Sequence, residues 1–193
     1  MNESLDTRIR NAPYVDSRLG KCRELRNVAI EIDATETRRL SEIVDWAELS
    51  KELSCFKEAE LPDSAREVKW GLRGKTRQET TYGYPLYVQG RLDTAIKTLI
   101  ADPTSRAAHI QIDYLPGEQP CATSFNLAIR EKQLVSTVTF RSMDWVSGYP
   151  YDALIFYHLF HVESWIKIER ELEITLGPMV FFVTSLHLYE SDE

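Results

Sequence analysis

The run GEQPCATSF (117–125) sets Cys121 at the mouth of an apolar, β-prone segment. A cysteine acts as a nucleophile through its thiolate and needs a cationic neighbour to hold the proton off; without one it is buried filler. Such a cation stands where a second β-prone run, LVSTVTF (134–140), ends in Arg141-Ser142. A charge at the end of a core strand needs a partner, and the bland alternative is a salt bridge at the sheet rim. Later in the chain Ser185, His187 and Tyr189 alternate, so on a strand they share one face. Three polar groups in a row suggest a cavity wall rather than packing. His158 and His161 lie three apart with Glu163 close by, a spacing that zinc sites use. No third ligand is placed there and the segment is apolar all round, so no metal is expected.

These residues need a scaffold, and 193 residues suffice for one domain, 1–193, with a single sizeable core. The composition is 43% hydrophobic and 27% charged, with a net charge of −7. That balance argues against a nucleic-acid polymer as partner, while a few placed arginines could still hold one small anion. Cys22, Cys55 and Cys121 are an odd number without metal spacing, which suits reduced thiols in a cytoplasmic protein. The start, MNESLDTRIR, lacks the apolar core of a signal peptide. No run approaches membrane-spanning length, so no membrane partner is expected.

Residues 1–26 are charged, show no clear period and read as a partly mobile start. VAIEI (28–32) reads as a strand, and apolar residues from Thr37 to Phe56 recur at helical spacing. The polar, turn-rich stretch 60–85 reads as loop, 91–101 as an amphipathic helix and 107–115 as a strand. CATSFNLAI and LVSTVTFRS form a hairpin across REKQ, with Cys121, Thr123, Phe125, Leu127 and Ile129 expected on one face. Tyr151 to Leu172 is apolar on nearly every side, as befits a helix wrapped by sheet. Gly177 and Pro178 are expected to break the chain before a final strand, MVFFVTSLHLYE. The sum is α+β: a mixed sheet packed around a long buried helix.

Five pieces then occur in a known order: TYGYPLY (81–87), DPTSR (102–106), PC (120–121), RSMDWVSGYPYD (141–152) and SLHLYE (185–190). Over roughly residues 50 to 190 the chain resembles the thymidylate synthase superfamily, and within it is most similar to deoxycytidylate 5-hydroxymethylases. The resemblance implies a thymidylate synthase-like fold, an obligate homodimer, a pyrimidine nucleoside monophosphate as substrate and 5,10-methylenetetrahydrofolate as one-carbon donor. It makes Cys121 the nucleophile that adds to C6 of the base, with Glu52 ordering water and Tyr82 helping to remove the C5 proton. Arg141 and Ser142 would bind the phosphate, Arg106 the phosphate of the partner subunit, and His187 and Tyr189 the sugar 3′-hydroxyl. Asp144 and Trp70 would meet the folate.

Asp152 stands where thymidylate synthases carry asparagine, four residues after Gly148. An amide donates to O4 and accepts from N3–H of uracil; a carboxyl sharing a proton can accept from N4 and donate toward N3 of cytosine. The hydroxymethylases have aspartate here, which implies dCMP or CMP. The bland alternative is that Asp152 caps the buried helix. Ala122 replaces the histidine that follows the nucleophile in thymidylate synthases, and Ala107 replaces the second partner-facing arginine. Residues 190–193 follow Tyr189 where the family continues into a segment that closes over the folate. Methylation of dUMP or dCMP, and a non-catalytic nucleotide-binding relative, therefore stay beside C5-hydroxymethylation as readings.

Overall fold

The computed structural model describes residues 3–17, 20–47, 49–50, 82–113 and 120–193. Within them the start of the chain carries a helix and two strands. Helix α1 (Leu5–Arg10) is capped by Ser4, whose Oγ accepts the Thr7 amide at 3.2 Å. Strand β1 (Tyr14–Ser17) then turns into β2 (Gly20–Ile32), which begins well before VAIEI. Its first half, GKCRELR, forms a strand because its backbone pairs with both β1 and the last strand of the sheet, overriding its charged composition.

Helix α2 (Ala34–Ser41) starts at Asp33, whose Oδ1 accepts the Thr35 and Glu36 amides at 2.8 Å. The helix expected over 37–56 stops at Ser41; residues 46, 47, 49 and 50 are helical again, and the rest of that expectation, like the loop over 60–81, lies outside the described residues. A π-helical turn, Tyr84–Val88, leads to α3 (Arg91–Ala101). Strand β3 (His109–Gln111) covers part of the run expected to be extended.

The hairpin is as expected: β4 (Ala122–Arg130) and β5 (Gln133–Phe140) pair antiparallel around Glu131 and Lys132. One detail differs. The register shifts between Ala122 and Ser124, so Ala122 faces Phe140 while Phe125 faces Val138. Ala122, Phe125 and Leu127 therefore point into the core. The extra residue interrupts the strict alternation on which the shared-face expectation for Cys121 and Thr123 depended.

A two-residue strand β6 (Met143–Asp144) precedes α4 (Tyr149–Ile155), which continues through a π-helical stretch, Phe156–Val162, into α5 (Glu163–Glu169). This is the long central helix. Phe156 and Phe160 are fully buried against Phe125, Phe140 and Phe181 of the sheet. Strand β7 (Thr175–Tyr189) includes Gly177 and Pro178 instead of starting after them. They produce a register shift against β5, not a chain break, and Gly177 passes so close that a Cβ would lie 2.8 Å from the Leu134 carbonyl oxygen. The sheet order is β1-β2-β7-β5-β4-β3, with β6 also on β7; β5 and β6 run parallel to β7, and the other neighbours are antiparallel. The architecture is the α+β fold expected, a mixed sheet around a buried helix.

Candidate active site

The start of β4 and the ends of β5 and β7 meet at one end of the sheet, and β6 completes that end. Arg141, just after β5, donates its amide to the Cys121 carbonyl at 2.9 Å and its Nε to the Pro120 carbonyl at 2.9 Å. The guanidinium thus wraps the Pro-Cys dipeptide. Cys121 is half-buried with a free thiol, and Arg141 is exposed. Ser142 is half-buried between Arg141 and β6.

On β6, Asp144 faces His187 of β7, and on the other side of β7 His187 faces Glu24 of β2. Asp144, His187 and Glu24 therefore lie in one row across three strands. Tyr189, the next residue on that face, sets its ring edge-on to His187 with centroids 5.0 Å apart. Ser185, the previous one, donates to Glu24 Oε1 at 2.5 Å. The expected shared face of Ser185, His187 and Tyr189 is present. Burial pushes the His187 imidazole below its usual range, against the opposing pull of Asp144, the Ser185 backbone and Glu24, so the ring is held neutral. A neutral imidazole can donate and accept one hydrogen bond each, which suits a hydroxyl.

Asp144 Oδ1 accepts the Val146 and Ser147 amides at 2.9 Å, tying the loop 144–148 into a tight turn. Its second oxygen has no partner among the described residues. Gly148 follows, and the Asp152 amide donates to its carbonyl at 3.0 Å. The helix N-cap is Gly148, with no side-chain cap bond, so Asp152 sits a full turn inside α4. Asp152 is therefore not the N-cap residue, and its carboxyl is half-buried. Tyr82 packs on Phe156, 5.3 Å between centroids, beneath the central helix. Arg106 is exposed ahead of the edge strand β3. Glu52 and Trp70 lie outside the described residues.

Of the histidine pair, His158 is exposed and His161 has a structural role. His161 is fully buried, with Nδ1 2.9 Å from Ser136 Oγ and Nε2 2.9 Å from the Gly177 carbonyl oxygen. The carbonyl can only accept, so Nε2 carries the proton and Nδ1 accepts from the serine. Both nitrogens are occupied. Among the described residues no three side chains gather as metal ligands.

Glu24 was not singled out in the sequence. It lies in a segment without clear period, and only the β2–β7 register brings it beside His187.

The family model for thymidylate synthase matches residues 79–192, more than half of the chain. The chain belongs to the thymidylate synthase family. That family's chemistry is one-carbon transfer to C5 of a pyrimidine nucleotide, with methylenetetrahydrofolate in general as the donor. No curated protein matches the chain in a sequence search. No helix among the described residues is long and apolar enough to cross a membrane.

Proposed function

We propose that the protein is a folate-dependent cytidylate C5-hydroxymethyltransferase acting on dCMP or CMP in the cytoplasm. The observation that carries this reading is Asp152: a carboxyl, not an amide, set one turn inside the helix that begins at Gly148. It can accept from the N4 amino group and, protonated, donate toward N3, a polarity that cytosine matches and uracil does not.

Cys121 adds through its sulfur to C6 of the base, and the electron pair of the C5–C6 bond moves to C5. Arg141, fixed over Pro120 and Cys121, favours the thiolate and with Ser142 binds the phosphate. His187 and Tyr189 hold the sugar hydroxyl. Glu52 orders water and Tyr82 takes part in removing the C5 proton. The second oxygen of Asp144 fits an N–H donor of a pterin, and Trp70 is assigned to the same ligand. Methylenetetrahydrofolate, when bound, supplies the one-carbon unit, and addition of water completes a hydroxymethyl group.

The acting unit is a homodimer in which Arg106 reaches the phosphate held by the partner subunit. Phe182, on the outer face of the sheet, is 42% exposed, and its neighbours there are Ala29 and Thr139. Such a face is suited to packing against a second copy.

The test is tritium release from C5-labelled dCMP, CMP and dUMP, with and without methylenetetrahydrofolate, with the product identified by mass. Folate-dependent release from a cytidine nucleotide and a hydroxymethyl product support the reading. Release from dUMP alone with a methylated product would make the protein a methylase, and nucleotide binding without release a non-catalytic relative.

A further inference from the structure

Two aromatic residues bracket Gly148. The Trp145 and Tyr149 rings are stacked, 4.7 Å between centroids and 15° between planes. Each carries one polar atom, and each atom is held by a carboxylate from a different N-terminal helix. Trp145 Nε1 donates to Asp6 Oδ1 of α1 at 3.0 Å, while the other oxygen of Asp6 accepts from Arg10 Nε at 3.0 Å. The Tyr149 hydroxyl donates to Glu36 Oε1 of α2 at 2.7 Å, and Glu36 is itself gripped by Arg39 through Nη2 at 2.6 Å and Nε at 2.9 Å. Tyr149 is 1% exposed, so its hydroxyl is a buried donor that must find a partner, and Glu36 is that partner.

From within, the same loop is fixed by backbone: the Trp145 amide donates to the His187 carbonyl at 2.8 Å, and Gly148 to that of Asp144 at 3.2 Å. The loop between Asp144 and α4 is thus clamped on one side by the sheet and on the other by two helices that contribute none of the residues assigned to the site. We propose that Asp6 and Glu36 are positioning residues for base recognition: by fastening the Trp145–Tyr149 stack they hold the 144–148 turn, and hence the helix bearing Asp152, in the binding geometry before the nucleotide arrives. This rests on the cytidylate reading above. A site already in its binding-competent form loses no affinity to an open, incompetent population.

The experiment uses the full chain and the variants Asp6→Ala, Asp6→Asn, Glu36→Ala and Glu36→Gln. It measures hydrogen exchange across 145–149, the Kd for dCMP, and KM and kcat separately. Asparagine and glutamine keep the acceptor oxygen; alanine removes it. Loss of one hydrogen bond of ordinary strength is expected to raise exchange in this segment about three- to ten-fold in the alanine variants. The Kd and KM for dCMP should rise by the same factor with kcat nearly unchanged, because the defect is in the competent fraction. Asp6→Asn and Glu36→Gln should restore all three. Unchanged exchange across 145–149 in both alanine variants would overturn the proposal. So would raised exchange with an unaltered Kd for dCMP, since the contacts would then serve stability alone. Wild-type protein that binds neither dCMP nor dUMP would instead overturn the nucleotide reading on which the proposal rests.

Discussion

Cys121 and Arg141 face each other across the mouth of the β4–β5 hairpin, joined by a backbone hydrogen bond of 2.9 Å, with the arginine Nε turned back onto the preceding proline carbonyl. The carbonyls of Cys121 and Pro120 thus hold the amide and the guanidinium of Arg141 against the dipeptide that carries the thiol. Cys121→Ser should abolish tritium release from C5-labelled dCMP while leaving nucleotide affinity within a few-fold, because binding does not need the thiolate. Turnover retained in the serine variant would remove Cys121 from the reaction.

On the cytidylate reading, Asp152→Asn replaces the carboxyl assigned to the base by an amide of the same shape. Leaving a buried donor or acceptor unpaired costs about 1–3 kcal/mol, so the dCMP over dUMP ratio of kcat/KM should drop by about ten- to a hundred-fold. A ratio that stays constant would take away the main support for cytidylate as substrate.

His161 makes stability depend on acid. Burial holds its imidazole below the usual histidine range, only partly offset by the Gly177 carbonyl, and His187 is depressed by burial too. As pH falls below about 6.5, the unfolded chain takes up protons that the folded chain refuses. Stability is therefore fully present above that pH and is lost as acid is added toward the folded-state pKa. The melting temperature should be lower at pH 5.5 than at 7.5, and His161→Gln should flatten that dependence while lowering the value at neutral pH. Parallel curves for the two proteins would contradict this.

The turn of the β4–β5 hairpin is strained: Glu131 and Lys132 have φ of 51° and 60°. Both lie in the left-handed region where side chains other than those of glycine and asparagine are disfavoured. Replacing the pair by Asn-Gly should stabilise the fold by about 1 kcal/mol, read as a higher denaturant midpoint at unchanged slope. An unchanged or lower midpoint would show that the two side chains make compensating contacts.

The hairpin and the central helix were legible because their signals are local: alternation in LVSTVTF, and an apolar surface all round from Tyr151 onward. The order of Pro-Cys, Arg-Ser and His-x-Tyr likewise announced the family. Features that depend on register were not legible. The register shift between Ala122 and Ser124 breaks the alternation that would set Cys121 and Thr123 on one face with Phe125. Gly177 and Pro178 read as a break because an isolated sequence does not distinguish the end of a strand from a bulge within it. The strand over 20–27 carries no apolar period because pairing on both edges, not burial of one face, makes it extended. Asp6, Glu24 and Glu36 acquire meaning only through partners more than a hundred residues away.

Among the described residues, strand β7 follows every other strand of the sheet in sequence, yet it lies between β2 and β5 and is the only strand that joins them. A chain made from its N-terminus therefore emerges as two unjoined pieces, the β1–β2 ribbon and the β3–β4–β5 meander, each presenting an open edge. Neither gains its missing neighbour until Thr175–Tyr189 inserts between them. Such distant pairing is slow to form and leaves both edges exposed until it does. The same strand carries His187 and Tyr189, so the sheet and the polar row at its end come into being in a single step.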